Sequence, residues 1–113
     1  MIEEFRVEKA LDYLTDSVGD AAVAKAQRVY MEKYEKALIA DIMKEKAREN
    51  PQLPLAAQER DALSDPRYKI HLNGLKEAVR EDEIHRGKRI SAEVTINAWQ
   101  TQEATSRAQL KVV

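Results

Sequence analysis

Asn50-Pro51-Gln52-Leu53-Pro54, followed after one short apolar stretch by Ser64-Asp65-Pro66, decides how this chain folds. A residue before proline is pushed out of the helical region, and neither Pro51 nor Pro54 has an N–H to give to a helix. A helix arriving from the N-terminal side therefore stops by about residue 48. Ser64 and Asp65 are good N-cap residues, and Pro66 suits the first helical position, where no N–H is needed. A second long helix is expected to start there. Between them Leu55 to Leu63 has the length for two helical turns, so residues 49–65 read as a proline-containing connector.

Outward from this corner both flanks read as helix. Upstream, residues 21–48 contain no Gly or Pro, and apolar side chains recur at Ala26, Tyr30, Tyr34, Ala37, Leu38, Ile42 and Met43. Such a helix is about 42 Å long at ~1.5 Å per residue. Downstream, residues 66–107 make a helix of roughly 60 Å, with a stripe at Tyr68, Leu72, Leu75, Val79, Ile90, Val94 and Ala98. Asp82, Glu83 and Arg86 interrupt that stripe, and Gly74 and Gly87 mark kinks or places of close approach. Before the first long helix, residues 3–16 form a short amphipathic helix with Val7, Leu11, Leu14 and Val18 on one side and Phe5 beside them. The stretch Thr15-Asp16-Ser17-Val18-Gly19-Asp20 breaks it, and residues 108–113 are expected to fray.

The fold class is thus all-α: an elongated antiparallel hairpin of two long helices with a short N-terminal helix, all in one domain over residues 1–113. The seam of the hairpin or of its oligomer is assigned to Tyr30, Tyr34, Leu38, Ile42, Leu72, Leu75, Val79, Ile90 and Val94. Composition agrees. Charged residues are 35% of the chain, Gly and Pro number three each, and sixteen of the 43% hydrophobic residues are Ala. That bias belongs to long helices and excludes a β-sandwich or barrel. Large core-forming side chains are scarce, so subunits are expected to complete one another's cores as a homo-oligomer.

With no Cys, disulfides, thiolate nucleophiles, zinc knuckles and iron–sulfur clusters are excluded. No apolar run reaches the ~20 residues of a membrane span, and Met1-Ile2-Glu3-Glu4 lacks the regions of a signal peptide. A cytoplasmic setting is expected. The net charge of −1 provides no global positive field, so anion binding has to come from a local patch.

His71 and His85 are 14 residues apart, or ~21 Å along a helix, too far to share a metal. Glu81-x-x-x-His85 and Asp82-x-x-His85 have no second histidine on the facing helix to complete a carboxylate–histidine metal site. No Gly-rich phosphate loop, dinucleotide fingerprint or Gly-x-Ser-x-Gly occurs. The chain is expected to have no catalytic activity, cofactor or metal. The strongest local basic run is Arg86, Lys88 and Arg89, with Lys76 and Arg80 before it and Trp99 and Arg107 beyond. Cations that neutralise phosphates beside an indole that stacks a base suit single-stranded nucleic acid. The same residues also read as ion pairs with Glu81, Asp82 and Glu83 on a solvated face, with Trp99 anchoring helix packing. A second basic set, Lys33, Lys36, Lys44, Lys46 and Arg48, is interleaved with Glu32, Glu35, Asp41, Glu45 and Glu49 and reads as salt-bridged surface.

The segment from Ile90 to Arg107, with Ala98-Trp99-Gln100-Thr101-Gln102-Glu103-Ala104 at its centre and Asp65-Pro66-Arg67-Tyr68-Lys69 upstream, resembles a family of small phage and prophage helical proteins encoded with DNA recombination genes. Those proteins end in an Ala-Trp-Arg-Thr-x-Glu-Ala type motif. In outline the chain also resembles the UvsY-type recombination mediators of large tailed phages. The resemblance implies a non-catalytic recombination or replication accessory that binds single-stranded DNA or its binding proteins as an oligomer, with a recombinase as a further partner. Gln100 stands where the family motif often has Arg, which leaves Arg86, Lys88 and Arg89 as the stronger cationic candidates. The alternative expectation is a structural or adaptor coiled coil that meets only other proteins.

Overall fold

A computed structural model describes residues 1–112 as four helices: α1 (Glu4–Asp16), α2 (Val18–Glu49), α3 (Leu55–Leu63) and α4 (Pro66–Val112). The fold is all-α, with two long helices and no strand among the described residues. Asn50 closes the corner. Its amide donates to the Lys46 carbonyl (3.0 Å), its carbonyl accepts from the Leu53 amide (3.0 Å), and its side-chain oxygen accepts from the Gln52 amide (3.2 Å). The Gln58 side chain ties α3 back to the Leu53 carbonyl at 3.0 Å. Asp65 then caps α4, its carboxylate accepting the Arg67 amide at 2.8 Å, with Pro66 at the first helical position.

Two boundaries differ from the sequence reading. The break between α1 and α2 is Ser17 alone, and the long helix begins at Val18 rather than 21. Ser17 keeps right-handed backbone angles, its amide bonds the Tyr13 carbonyl at 3.0 Å, and its hydroxyl donates to that same carbonyl. Gly19 and Asp20 are simply carried inside the helix. At the other end α4 continues through 108–112 instead of fraying, because Ala108, Gln109, Leu110 and Lys111 are good helix formers with no breaker among them. Val113, the last residue of the expected frayed tail, lies outside the described residues.

The helices are apportioned to two compact units, residues 1–23 with 83 onward, and Ala24–Asp82. In the second unit α2 and α4 pair antiparallel: Arg28 meets Asp82 at 3.1 Å, the Tyr34 ring meets the His71 ring at 5.9 Å, and Tyr68 donates to Glu35 at 3.4 Å. Ala24, Arg28, Met31, Glu35, Leu38 and Ile42 are the shielded positions of α2, opposite Tyr68, His71, Leu75, Ala78 and Asp82 of α4. Steps alternating between three and four residues are the signature of coiled-coil packing. Ile42 is the one large side chain here with no exposure at all. His71 is buried, and its Nε2 has no hydrogen-bond partner among the described residues.

This register moves part of the expected seam outside. Leu38, Ile42, Leu75 and Val79 are shielded, but Tyr30 is 63% exposed, Ile90 47% and Val94 60%, and Tyr34 and Leu72 are also exposed. The cause is composition. Polar and small residues occupy the shielded positions, so the largest apolar residues do not mark them. Tyr30 stacks on Tyr34 with centroids 5.9 Å apart, and Tyr34, at the rim of the contact, also meets His71 of α4.

In the first unit α1 lies antiparallel to the C-terminal half of α4. The Ile2 amide donates to the Gln102 side chain at 3.0 Å, and the Tyr13 hydroxyl donates to the His85 carbonyl at 3.2 Å. Its buried residues are Val7, Ala10 and Ala92, a narrow core of small side chains.

Gly74 faces Met31, whose Cε would lie 2.7 Å from an added Cβ; that methyl is the end of a flexible side chain that would have to swing aside for any larger residue. Gly19 and Gly87 have open space around them and ordinary helical backbone. Replacing both by Ala is expected to raise stability by about 1–2 kcal/mol through helix propensity alone. Urea unfolding followed by circular dichroism checks this, and an unchanged or lower midpoint contradicts it.

Candidate nucleic-acid interface

Two small residues facing one another leave a hollow. Ala10 of α1 and Ala92 of α4 floor an open groove of about 300 Å³ in the first unit, whose sides are Arg6, Lys9 and Tyr13 from α1 and Lys88, Ser91 and Thr95 from α4. The spacing follows from helix geometry: Arg6, Lys9, Ala10 and Tyr13 fall on one face of α1, as Lys88, Ser91, Ala92 and Thr95 do on α4. Three cations line the groove and no carboxylate does. Tyr13 is held in place by His85, whose Nδ1 also lies 3.2 Å from the phenolic oxygen. Thr95 donates to the Ser91 carbonyl at 2.9 Å. Beside the groove, Lys9 places its ammonium 4.9 Å from the centroid of the Phe5 ring, which is 60% exposed.

The residues named from sequence do not form one patch. Lys88 lines the groove, and its neighbour Arg89 is exposed. Arg86 sits 3.7 Å from Glu83, and Arg80 has Glu77 at 3.7 Å and Glu81 at 3.8 Å. Lys76 and Arg107 are exposed. Trp99 is half-buried among the shielded positions of α4, with Ile96 and Ala92 one and two turns before it. The aromatic that does reach solvent beside cations is Phe5. Sequence reasoning missed Arg6 and Lys9 because they lie about eighty residues from Lys88; their i, i+3 spacing beside an exposed Phe was the only local signal.

The second cluster of charges is structural. Arg67 reaches the two Asp65 oxygens at 3.0 and 3.1 Å and Glu45 at 2.7 Å, while Lys46 lies 4.0 Å from Asp65. The hydrogen bonds from the Arg67 side chain and backbone hold the Asp65 carboxyl down at a pKa of about 2, and the two carboxylates raise Arg67 further. Partial desolvation and the charge of Glu35 push the Tyr68 phenol up. Among the described residues no three His, Asp or Glu side chains converge as metal ligands, and no helix is long and apolar enough to cross a membrane.

No family model matches the chain, and no curated protein or solved structure shows significant similarity to it.

Proposed function

We propose that this chain is a non-catalytic, self-associating helical accessory of phage DNA recombination or replication that binds single-stranded DNA. The observation that carries the reading is the inverted distribution of its side chains. Val23, Ile70 and Tyr30 are 63–70% exposed, while four of the six buried apolar residues among those described are Ala. A chain built this way stabilises itself further by covering those apolar groups, about 25 cal/mol for each Å² removed from water. A second copy is the proposed cover. Repetition of a modest cationic patch around an assembly then lets several subunits hold one strand, so that avidity replaces per-site affinity. The Ala98-Trp99-Gln100-Thr101-Gln102-Glu103-Ala104 resemblance supplies the phage recombination setting.

A second reading is favoured by the pairing of Arg80 and Arg86 with glutamates. In it the chain is an adaptor that associates only with proteins. Two measurements separate the readings. Light scattering is expected to give a mass that is a multiple of 12.9 kDa, and Tyr30→Ser with Ile70→Ser is expected to shift it toward one subunit while helicity is retained. Fluorescence anisotropy of labelled oligo-dT is expected to show binding that weakens steeply with salt, the mark of released counterions. An oligomer without salt-sensitive binding supports the adaptor; a monomer overturns both.

A further inference from the structure

We infer that the groove between Arg6, Lys9 and Lys88 is where a single strand is held, its phosphates on the three cations and one base on the exposed face of Phe5. The inference rests on the proposed binding of single-stranded DNA and assigns it to residues. Arg6 and Lys9 are one turn apart on α1, and Lys88 faces them from α4 across the Ala10–Ala92 floor. Ala at both floor positions is what lets a phosphate sink between the helices instead of resting on top of them. Glu8 and Asp12 share α1 with the two cations but do not line the groove. Inside it an anion therefore meets positive charge without a competing carboxylate, which distinguishes it from the surroundings of Arg80 and Arg86. Ser91, Thr95 and Tyr13 line the same hollow, with the Thr95 hydroxyl and the Tyr13 phenol already donating to the Ser91 and His85 carbonyls, so the three cations are the groups left to hold an anion.

Phe5 adds the choice of strand. Lys9 lies against its ring at 4.9 Å, and the ring is 60% exposed. An exposed ring beside phosphate-binding cations takes an unpaired base by stacking, whereas the bases of a duplex are already stacked on one another. The site should therefore prefer single strands to duplex and be tolerant of sequence.

The test is anisotropy of labelled oligo-dT across a salt series, with helicity and assembly mass verified for every variant. Arg6→Ala with Lys9→Ala and Lys88→Ala is expected to weaken binding at low salt by roughly thirtyfold or more. It should also flatten the slope of log affinity against log salt by about 2, given ~0.7 per phosphate contact on a single strand. Phe5→Ala is expected to weaken oligo-dT binding about five- to tenfold and to leave an abasic strand unaffected. If the wild-type chain binds with salt sensitivity but the triple variant keeps its affinity, or loses no more than Arg86→Ala with Arg89→Ala, the groove is not the site although DNA binding stands. If the wild-type chain binds no oligo-dT at low salt, the inference and the reading beneath it both fail.

Discussion

Ile42→Ala is expected to cost about 3–4 kcal/mol, the largest loss from any single truncation in this chain. Ile42 has no exposed surface, and it is the only large side chain of which that is true among the described residues. Truncation removes three carbons from an apolar site and leaves a cavity that helices held at both sides by ion pairs and hydrogen bonds cannot readily close. Measured losses for Ile or Leu to Ala in such positions run from about 2 to 5 kcal/mol. A domain of this size has a total stability of roughly 5–15 kcal/mol, so the variant gives up a large share of it. In urea the midpoint should fall with the slope unchanged, which marks lost stability instead of a changed unfolded state. Ile42→Val should cost only about 1 kcal/mol. Leu55→Ala, at a residue 70% exposed, is the internal control. A drop below about 1 kcal/mol for Ile42→Ala would mean that Ile42 is not enclosed as this fold has it.

Asp65 is expected to set the acid limit of the fold. It caps α4, binds Arg67 through both oxygens and lies near Lys46, all with its carboxyl ionised. Its pKa is lowered from 3.8 to about 2, mainly by the hydrogen bonds from Arg67. The folded state therefore binds this proton less readily than the unfolded chain, and the corresponding stabilisation is fully present above pH 3.8 and disappears as the pH falls through 2. Asp65→Asn keeps a competent N-cap but has no charge to protonate, so it is expected to be less stable than the wild type at neutral pH and to converge with it near pH 2. Asp65→Ala loses the cap as well, and its melting temperature should drop on the order of 5 °C or more. Thermal melts across pH 2–7 check both. Parallel curves for wild type and Asp65→Asn over the acid range would remove Asp65 as the group responsible.

The corner was legible in the sequence because proline acts on its immediate neighbours. Pro51 and Pro54 end α2, and Asp65-Pro66 starts α4, without help from anything distant. The helices themselves were legible from long stretches without breakers. Their facing surfaces were not, because Arg28, Glu35, His71 and Asp82 occupy shielded positions while Tyr30, Ile70, Ile90 and Val94 stand outside. A pattern search that follows large apolar residues finds the outer surface of such a chain as readily as the inner one. Ser17 was overread as a wider break because Gly19 and Asp20 read locally as turn residues although a helix tolerates both. For the candidate site, Lys88 was visible in its basic run, but its union with Arg6 and Lys9 is made by the antiparallel lie of α1 on α4, and no local spacing encodes that.

The Arg28–Asp82 pair has a consequence for uniqueness. The contact between α2 and α4 mixes large apolar side chains, such as Met31, Leu38 and Leu75, with charged ones, and a heptad slide still sets one apolar residue against another at several positions. The charges are less tolerant. A slip of seven residues in one direction sets Arg28 opposite Arg89 and Glu35 opposite Asp82, two like-charge encounters; the other sets Arg28 against Leu75 and Asp82 against Ala21, which gives up the ion pair between the helices although Arg28 keeps Glu32 on its own helix. Of these three alignments, only the native one pairs Arg28 with Asp82. Such a pair adds little net stability, since desolvation offsets much of its attraction, but its loss in either heptad slip favours the native register over both.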